Sequence, residues 1–261
     1  MAFKRAHILL GAALVLGSAQ GASAADLYGG SLKDGPMAAP MAASSPSWYV
    51  RVDGSYAKFD RPAITEDGIY DLTETSIDNT WGVGGGIGVY FGRGFRGDIT
   101  VDHNFESDVS ATLGDINSPL PGVRKFSLES TVALANLYYD FDMGNRFTPY
   151  VGVGLGVTKN KTGAGTVTDL CGCLSGTIDG GEETHAAGAL MAGFTVKLRE
   201  RLSFDAGYRF LYLGEVATGP VKATFTAAHG ANGVGSTVSL DPTVDELEAH
   251  EFRLGLRYDI N

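Results

Sequence analysis

The feature that most limits how this chain can fold is an alternation of apolar and polar residues with period 2, repeated eight times. In the first run, WYVRVDGSYAKF, Trp48, Val50, Val52 and Tyr56 fall on one face and Arg51, Asp53 and Ser55 on the other. Successive side chains of a strand point to opposite sides, so strict alternation predicts a strand lying between two unlike environments. Residues 80–91 set Trp81, Val83, Ile87, Val89 and Phe91 against Gly82, Gly84, Gly86 and Gly88. Residues 95–105 set Phe95, Ile99, Val101 and Phe105 against Arg96, Asp98, Thr100, Asp102 and Asn104. The fourth run, within 125–141, is less regular. Its apolar phase shifts between Leu134 and Leu137, which predicts a bulge. Residues 148–158, 184–198, 202–213 and 249–260 supply four more runs. The last opposes Phe252, Leu254, Leu256, Tyr258 and Ile260 to Glu251, Arg253, Arg257 and Asp259.

Each run is close in length to the tilted strand of about 9–11 residues that crosses a bilayer. The connections alternate in length. Residues 92–94, 142–145 and 199–201 are tight turns, whereas 60–78, 106–124, 159–183 and 214–248 are long. Short turns at one end and long loops at the other, with an even strand number, predict an all-β fold. The expectation is an eight-stranded antiparallel up-and-down transmembrane β-barrel, with both termini periplasmic and four loops outside. A secreted β-sandwich also alternates apolar and polar residues and is the competing architecture.

The ends of the chain point to export. Lys4 and Arg5 precede an apolar segment, 8–16, and Ala22-Ser23-Ala24 forms a small-residue cleavage site. This predicts a signal peptide over 1–24, too short in its apolar part for a spanning helix of about 18 residues or more. Residues 25–47, rich in Ala, Ser, Pro and Gly without a period, are expected to be a flexible periplasmic leader. The barrel domain then covers 48–261. Loss of Lys4 and Arg5 takes the formal charge from −10 to −12. So acidic a chain has no basic face for nucleic acid, and none is expected as a partner.

The polar face carries both signs: Arg51, Asp53, Arg96, Asp98, Asp102, Asp205, Arg209, Glu251, Arg253 and Arg257. In a closed eight-stranded barrel this face points into a narrow lumen filled by side chains. Buried charges must pair, because leaving one unpaired costs several kcal/mol, on the order of 3–5. These ten residues are therefore expected to form a lumen charge network. Trp48, Phe91, Phe95, Phe141, Phe147 and Tyr258, near strand ends, suit girdles at the lipid–water interfaces.

One motif suggests a different chemistry. Gly92-Arg93-Gly94-Phe95-Arg96-Gly97 fits G-x-G-x-x-G, but a dinucleotide turn must open a helix. The next segment is FRGDITVDHNF, another alternating strand, so the glycines are expected to serve a tight hairpin. No cofactor is expected.

The last strand contains Arg253-Leu254-Gly255-Leu256-Arg257-Tyr258-Asp259-Ile260. It resembles the C-terminal signal read by the outer-membrane assembly machinery, with Arg253, Gly255, Tyr258 and Ile260 in the matching places. Asn261 comes last, where many such proteins stop at an aromatic residue. With ALANLYYDF, TPYVGVGLG and the Gly-alternating second run, the chain resembles alphaproteobacterial OmpA-like or opacity-type small outer-membrane barrels, the "porin family" proteins. The resemblance spans about 48–261 and implies location in the bacterial outer membrane. It also implies contact with outer-membrane lipid and lipopolysaccharide, and with assembly machinery and periplasmic chaperones during biogenesis. It is specific for fold and weak for activity.

Other chemistry is sparse. Cys171 and Cys173 form a lone C-x-C, and Glu182, Glu183 and His185 come after it at no recognised ligand spacing. In an oxidising compartment a disulfide is the expectation over a metal site, either strained across one residue or formed between chains. His103, His185 and His250 lack the His-x-Ser pair sought by lipid A deacylases of this shape. Three functions remain open. The leading expectation is a non-enzymatic structural and surface-interaction barrel, with the loops reaching host or surface ligands. A narrow porin or channel is the alternative, because glycines on the second and fifth strands leave lumen space. A lipid A-modifying enzyme is the third.

Overall fold

The computed structural model describes residues 47–260, apart from 62, 67–69, 114–121, 169–173, 227–232 and 241. The signal peptide, the leader up to residue 46, and the Cys171–Cys173 pair lie outside the described residues. All regular structure described is strand. In chain order these are β1 (Ser47–Phe59), β2 (Ala63–Glu66), β3 (Tyr70–Ile77), β4 (Thr80–Gly92), β5 (Phe95–Leu113) and β6 (Gly122–Asp140). Next come β7 (Phe147–Thr162), β8 (Gly165–Thr168), β9 (Leu174–Ile178), β10 (Gly181–Lys197) and β11 (Leu202–Tyr212). The rest are β12 (Val216–Ala217), β13 (Val221–Phe225), β14 (Thr237–Leu240), β15 (Pro242–Asp245) and β16 (Glu248–Asp259).

Eight long strands close on themselves. The antiparallel ladder runs β1-β4-β5-β6-β7-β10-β11-β16, and β16 bonds back to β1 from Tyr49↔Asp259 to Phe59↔Ala249. These are the eight predicted runs, and the barrel has no free edge in this zone. The turn between β4 and β5 is the hairpin expected from GRG. Gly92, Arg93 and Gly94 have φ of 82°, 54° and 84°, a left-handed path that glycine takes without steric cost.

Outward positions of the closed ring are apolar and exposed. Trp81 and Phe91 on β4 are ten residues apart, which at about 3.3 Å per residue and a tilt of roughly 40° spans about 25 Å of membrane. Trp48, Phe91, Phe95, Phe141, Phe147 and Tyr258 are all exposed, and all lie at the end bearing the short turns. They form one girdle. The opposite girdle is built from residues not singled out by position: Tyr56 against Trp81, His103 against Phe105, and Tyr208 against Phe252.

The long connections differ from the expectation. Much of 60–78, 159–183 and 214–248 is strand, and β5 and β6 run on into 106–124 as far as Leu113 and from Gly122. The short strands pair with one another and with the extensions beside them: β2 with β3, β3 with β5, β6 with β8, β8 with β9, β9 with β13 and β15 with β2. β12–β13 and β14–β15 are the two arms of one long hairpin. Because that hairpin bonds β9 on one side and β2 on the other, the upper strands form a ring as well. The barrel wall thus continues beyond the membrane instead of fraying into loops.

Where the lower ring passes into the upper, the faces exchange character. On β6, Asn136 and Tyr138 point inward while Leu137 and Tyr139 face lipid; higher up, Phe126 and Leu128 point inward while Lys125 is exposed. Inward parity is unbroken along β6, so the bulge expected between Leu134 and Leu137 is absent. The apolar phase shifts there because Val132 and Leu134 point inward, opposite Asp102 and Thr100 of β5, while the small Ala133 and Ala135 hold the outward positions. A bulge does occur on the neighbouring strand, between Asn104 and Ser107 of β5, where Phe105 and Glu106 are exposed in succession. The upper ring encloses an aliphatic and aromatic core that includes Ile64, Val109, Phe126, Val167, Ile178, Leu211, Leu213, Val221, Phe225, Val244 and Leu247.

Candidate functional site: the lumen and its caps

In the lower ring every inward charge named from the sequence lies in an ion pair. Seven of them form one chain of alternating sign. Asp98 meets Arg51 at 3.2 Å, Arg51 meets Asp53 at 2.7 Å, and Asp53 meets Arg253 at 3.3 Å. Arg253 meets Asp102 at 2.7 Å, Asp102 meets Arg209 at 2.7 Å, and Arg209 meets Glu251 at 2.5 Å. β5 and β11 stand opposite each other in the ring, so the Asp102–Arg209 contact crosses its full width. Arg257 pairs with Asp205 at 3.6 Å, and Thr195, which donates to Asp205, accepts from Arg257. Arg209 is fully buried and Glu251 likewise. Opposite charges so placed offset a desolvation cost that either would bear alone.

Several partners in this network are absent from the sequence expectation. Asp140 pairs with Arg96 at 3.0 Å, and the Arg96 guanidinium lies over the Tyr138 ring at 3.9 Å. Tyr49 donates to Asp98 at 3.0 Å, Asn136 donates to Asp98 at 2.8 Å, and Asn104 donates to Glu251 at 3.0 Å. Above these, Asn160 accepts from Ser130 at 2.8 Å and donates to the Leu213 carbonyl at 3.1 Å. All share the inward parity of the named charges, which is the signal that could have found them. Neutral and aromatic inward residues draw less attention than charges.

The glycines work against the space they were expected to leave. A Cβ on Gly84 would strike the Asp102 carboxylate, one on Gly88 the Tyr49 ring, and one on Gly152 the Tyr138 ring. They admit side chains from adjacent strands, and the room is already taken. At the mouth bearing the short turns a cavity of about 300 Å³ remains, lined by residues that include Tyr90, Asp140, Thr195, Lys197, Arg257 and Asp259. Asp140 and Arg257 in its lining are paired with Arg96 and Asp205. At the other mouth the apolar core of the upper ring stands over Asn160 and Leu213.

Other sequence candidates do not converge. Glu182 pairs with Lys159 at 2.8 Å and Glu183 with His185 at 2.9 Å, on separate partners. Among the described residues no cluster of His, Cys, Asp or Glu is arranged to hold a metal ion. His103 bonds Thr131 at 3.0 Å and His250 lies 3.3 Å from Asp60, both at the upper girdle. Of the assembly-signal residues, Arg253 and Gly255 face the lumen and Tyr258 and Ile260 face lipid.

A closed barrel with an apolar belt, aromatic girdles and a charge-filled interior defines an integral β-barrel protein of the bacterial outer membrane. The family model described as "Outer membrane protein beta-barrel domain" matches residues 10–259, and the chain belongs to that family. It is 28% identical over 222 residues to an uncharacterized protein of Brucella abortus, covering 74% of this chain and 76% of that protein. A putative adhesin of Rickettsia bellii is 23% identical over 222 residues, covering 82% of this chain and 88% of the relative. Among solved structures, the outer membrane protein OprG from Pseudomonas aeruginosa aligns with a TM-score of 0.49 at 18% identity. That alignment covers 83% of this chain and 96% of OprG.

Proposed function

We propose that this protein is a sealed, non-enzymatic barrel that presents a rigid β-walled surface outside the cell for interaction with other surfaces. The observation that carries the reading is the Asp98-to-Glu251 charge chain spanning the lumen beneath an apolar extracellular core. An ion entering from outside would have to cross that core, where an unsolvated charge costs far more than thermal energy. The putative adhesin of Rickettsia bellii supports the surface role. In this reading the ten lumen charges act as internal cross-braces, and β16 carries the signal that the assembly machinery reads.

Conductance in planar bilayers tests it. The refolded protein is expected to give no unit steps at high protein load. Reproducible steps in the picosiemens range or above would replace the sealed barrel with a channel. Adhesion is tested separately, by binding of cells that display the protein to host-cell monolayers or matrix-coated surfaces. Loss of binding on replacing 221–240 with a short turn is expected.

A further inference from the structure

The periplasmic end carries a cationic groove that the lumen and the extracellular wall leave unexplained. Arg146 precedes β7, and Lys197, Leu198, Arg199 and Glu200 lead out of β10; together they line a groove of about 440 Å³. The Lys197 amide donates to the Arg146 carbonyl at 2.9 Å, which fixes one turn against the other. Arg201 comes next in the same turn and is exposed. An acidic chain with 20 Lys and Arg in all thus places four of them at two adjoining turns. Among the described residues no carboxylate pairs with any of the four, although Glu200 is in the groove.

The groove sits at the edge of the lipid belt. Leu198, Phe194 and Phe147 are exposed on the outer face, and the Phe147 and Phe194 rings stack at 4.9 Å between centroids. A ligand filling the groove therefore meets cations on its periplasmic side and apolar surface on its membrane side. We infer that this groove binds the headgroup of an anionic phospholipid of the inner leaflet, with Arg146 and Arg199 on the phosphate and acyl chains along Leu198 and the Phe147–Phe194 stack. Lys197 shares the inward parity of Thr195 and also borders the acidic lumen mouth. Arginine suits this task because its fork of N–H donors matches phosphate oxygens.

The test uses the mature chain in nanodiscs of equal phosphatidylglycerol and phosphatidylcholine, with retained lipids counted by native mass spectrometry. Phosphatidylglycerol is expected to be enriched. Each cation removed should lower the enrichment, by about five-fold for a phosphate contact near the surface. Arg146→Gln/Arg199→Gln should abolish the preference, and Arg93→Gln, in a different turn, should keep it. Folding of every variant is checked by its faster gel mobility before boiling. If the double variant does not fold, Arg199→Lys should retain the preference and Arg199→Gln reduce it. Millimolar inorganic phosphate should compete with the lipid. Equal retention of the two lipids by the natural chain would overturn the inference, as would an undiminished preference in Arg146→Gln/Arg199→Gln. Phosphate binding without lipid enrichment would overturn the lipid assignment.

Discussion

Two halves of one wall use the same alternation in opposite senses. Below the exchange level, Asp98, Asp102 and Arg209 point inward and Ile99 and Val101 face lipid. Above it, Val109, Phe126 and Val221 point inward, and exposed Asp108, Lys125 and Lys222 face water. The lower interior is held by directed charge pairs and the upper by aliphatic packing. The physical reason lies outside the wall. Lipid rewards apolar outer faces and leaves polar residues only the lumen, whereas water rewards polar outer faces and drives apolar residues in. A single chain line such as β6 serves both by changing composition on each face, with no break in its pleat.

The comparison predicts unequal consequences for similar substitutions. The largest effect is expected for Arg209→Ala, which leaves Glu251 buried without a cation and Asp102 with Arg253 alone, and should cost about 3–5 kcal/mol. Equilibrium urea unfolding from lipid vesicles, monitored by tryptophan fluorescence, measures this. A loss below about 1 kcal/mol would mean that the lower half does not depend on its charge chain. Leu213→Ala removes a fully buried side chain from the base of the upper core and should cost about 2–5 kcal/mol, towards the lower end if the site collapses. Its sharper readout is limited proteolysis. The upper wall should become cleavable while the membrane ring keeps its gel mobility. Simultaneous loss of both would show that the two halves fold as one unit. The smallest effect is expected for Lys159→Ala. Its pair with Glu182 is more than half exposed on both sides, and such pairs contribute about 0–1 kcal/mol. A larger loss there would put weight on the outer surface that the interior is proposed to carry.

The sequence was informative wherever the cause was local. Pleating forces alternate residues to opposite faces, so the eight runs, their inward charges and the GRG hairpin could be read directly. It misled where large apolar side chains face the lumen. The shift between Leu134 and Leu137 resembled a bulge because Leu134 points inward and the outward places beside it are held by Ala133 and Ala135. The long connections passed for loops for a different reason. Strands of four or five residues, such as β2 (AITE) and β9 (LSGTI), carry too few alternations to stand out.

What the sequence determined by itself is therefore the number of strands in the membrane ring, the identity of the inner face and the presence of balancing charges. What only the tertiary structure decided is which charge meets which. Asp102 and Arg209 are 107 residues apart and face each other only because closure puts β5 and β11 on opposite sides of the ring. Arg96 takes Asp140 from the adjoining strand through the register of β5 on β6, a partner that parity admits but does not choose. Alternation arises from the geometry of one strand, whereas pairing depends on the stagger and closure of all eight.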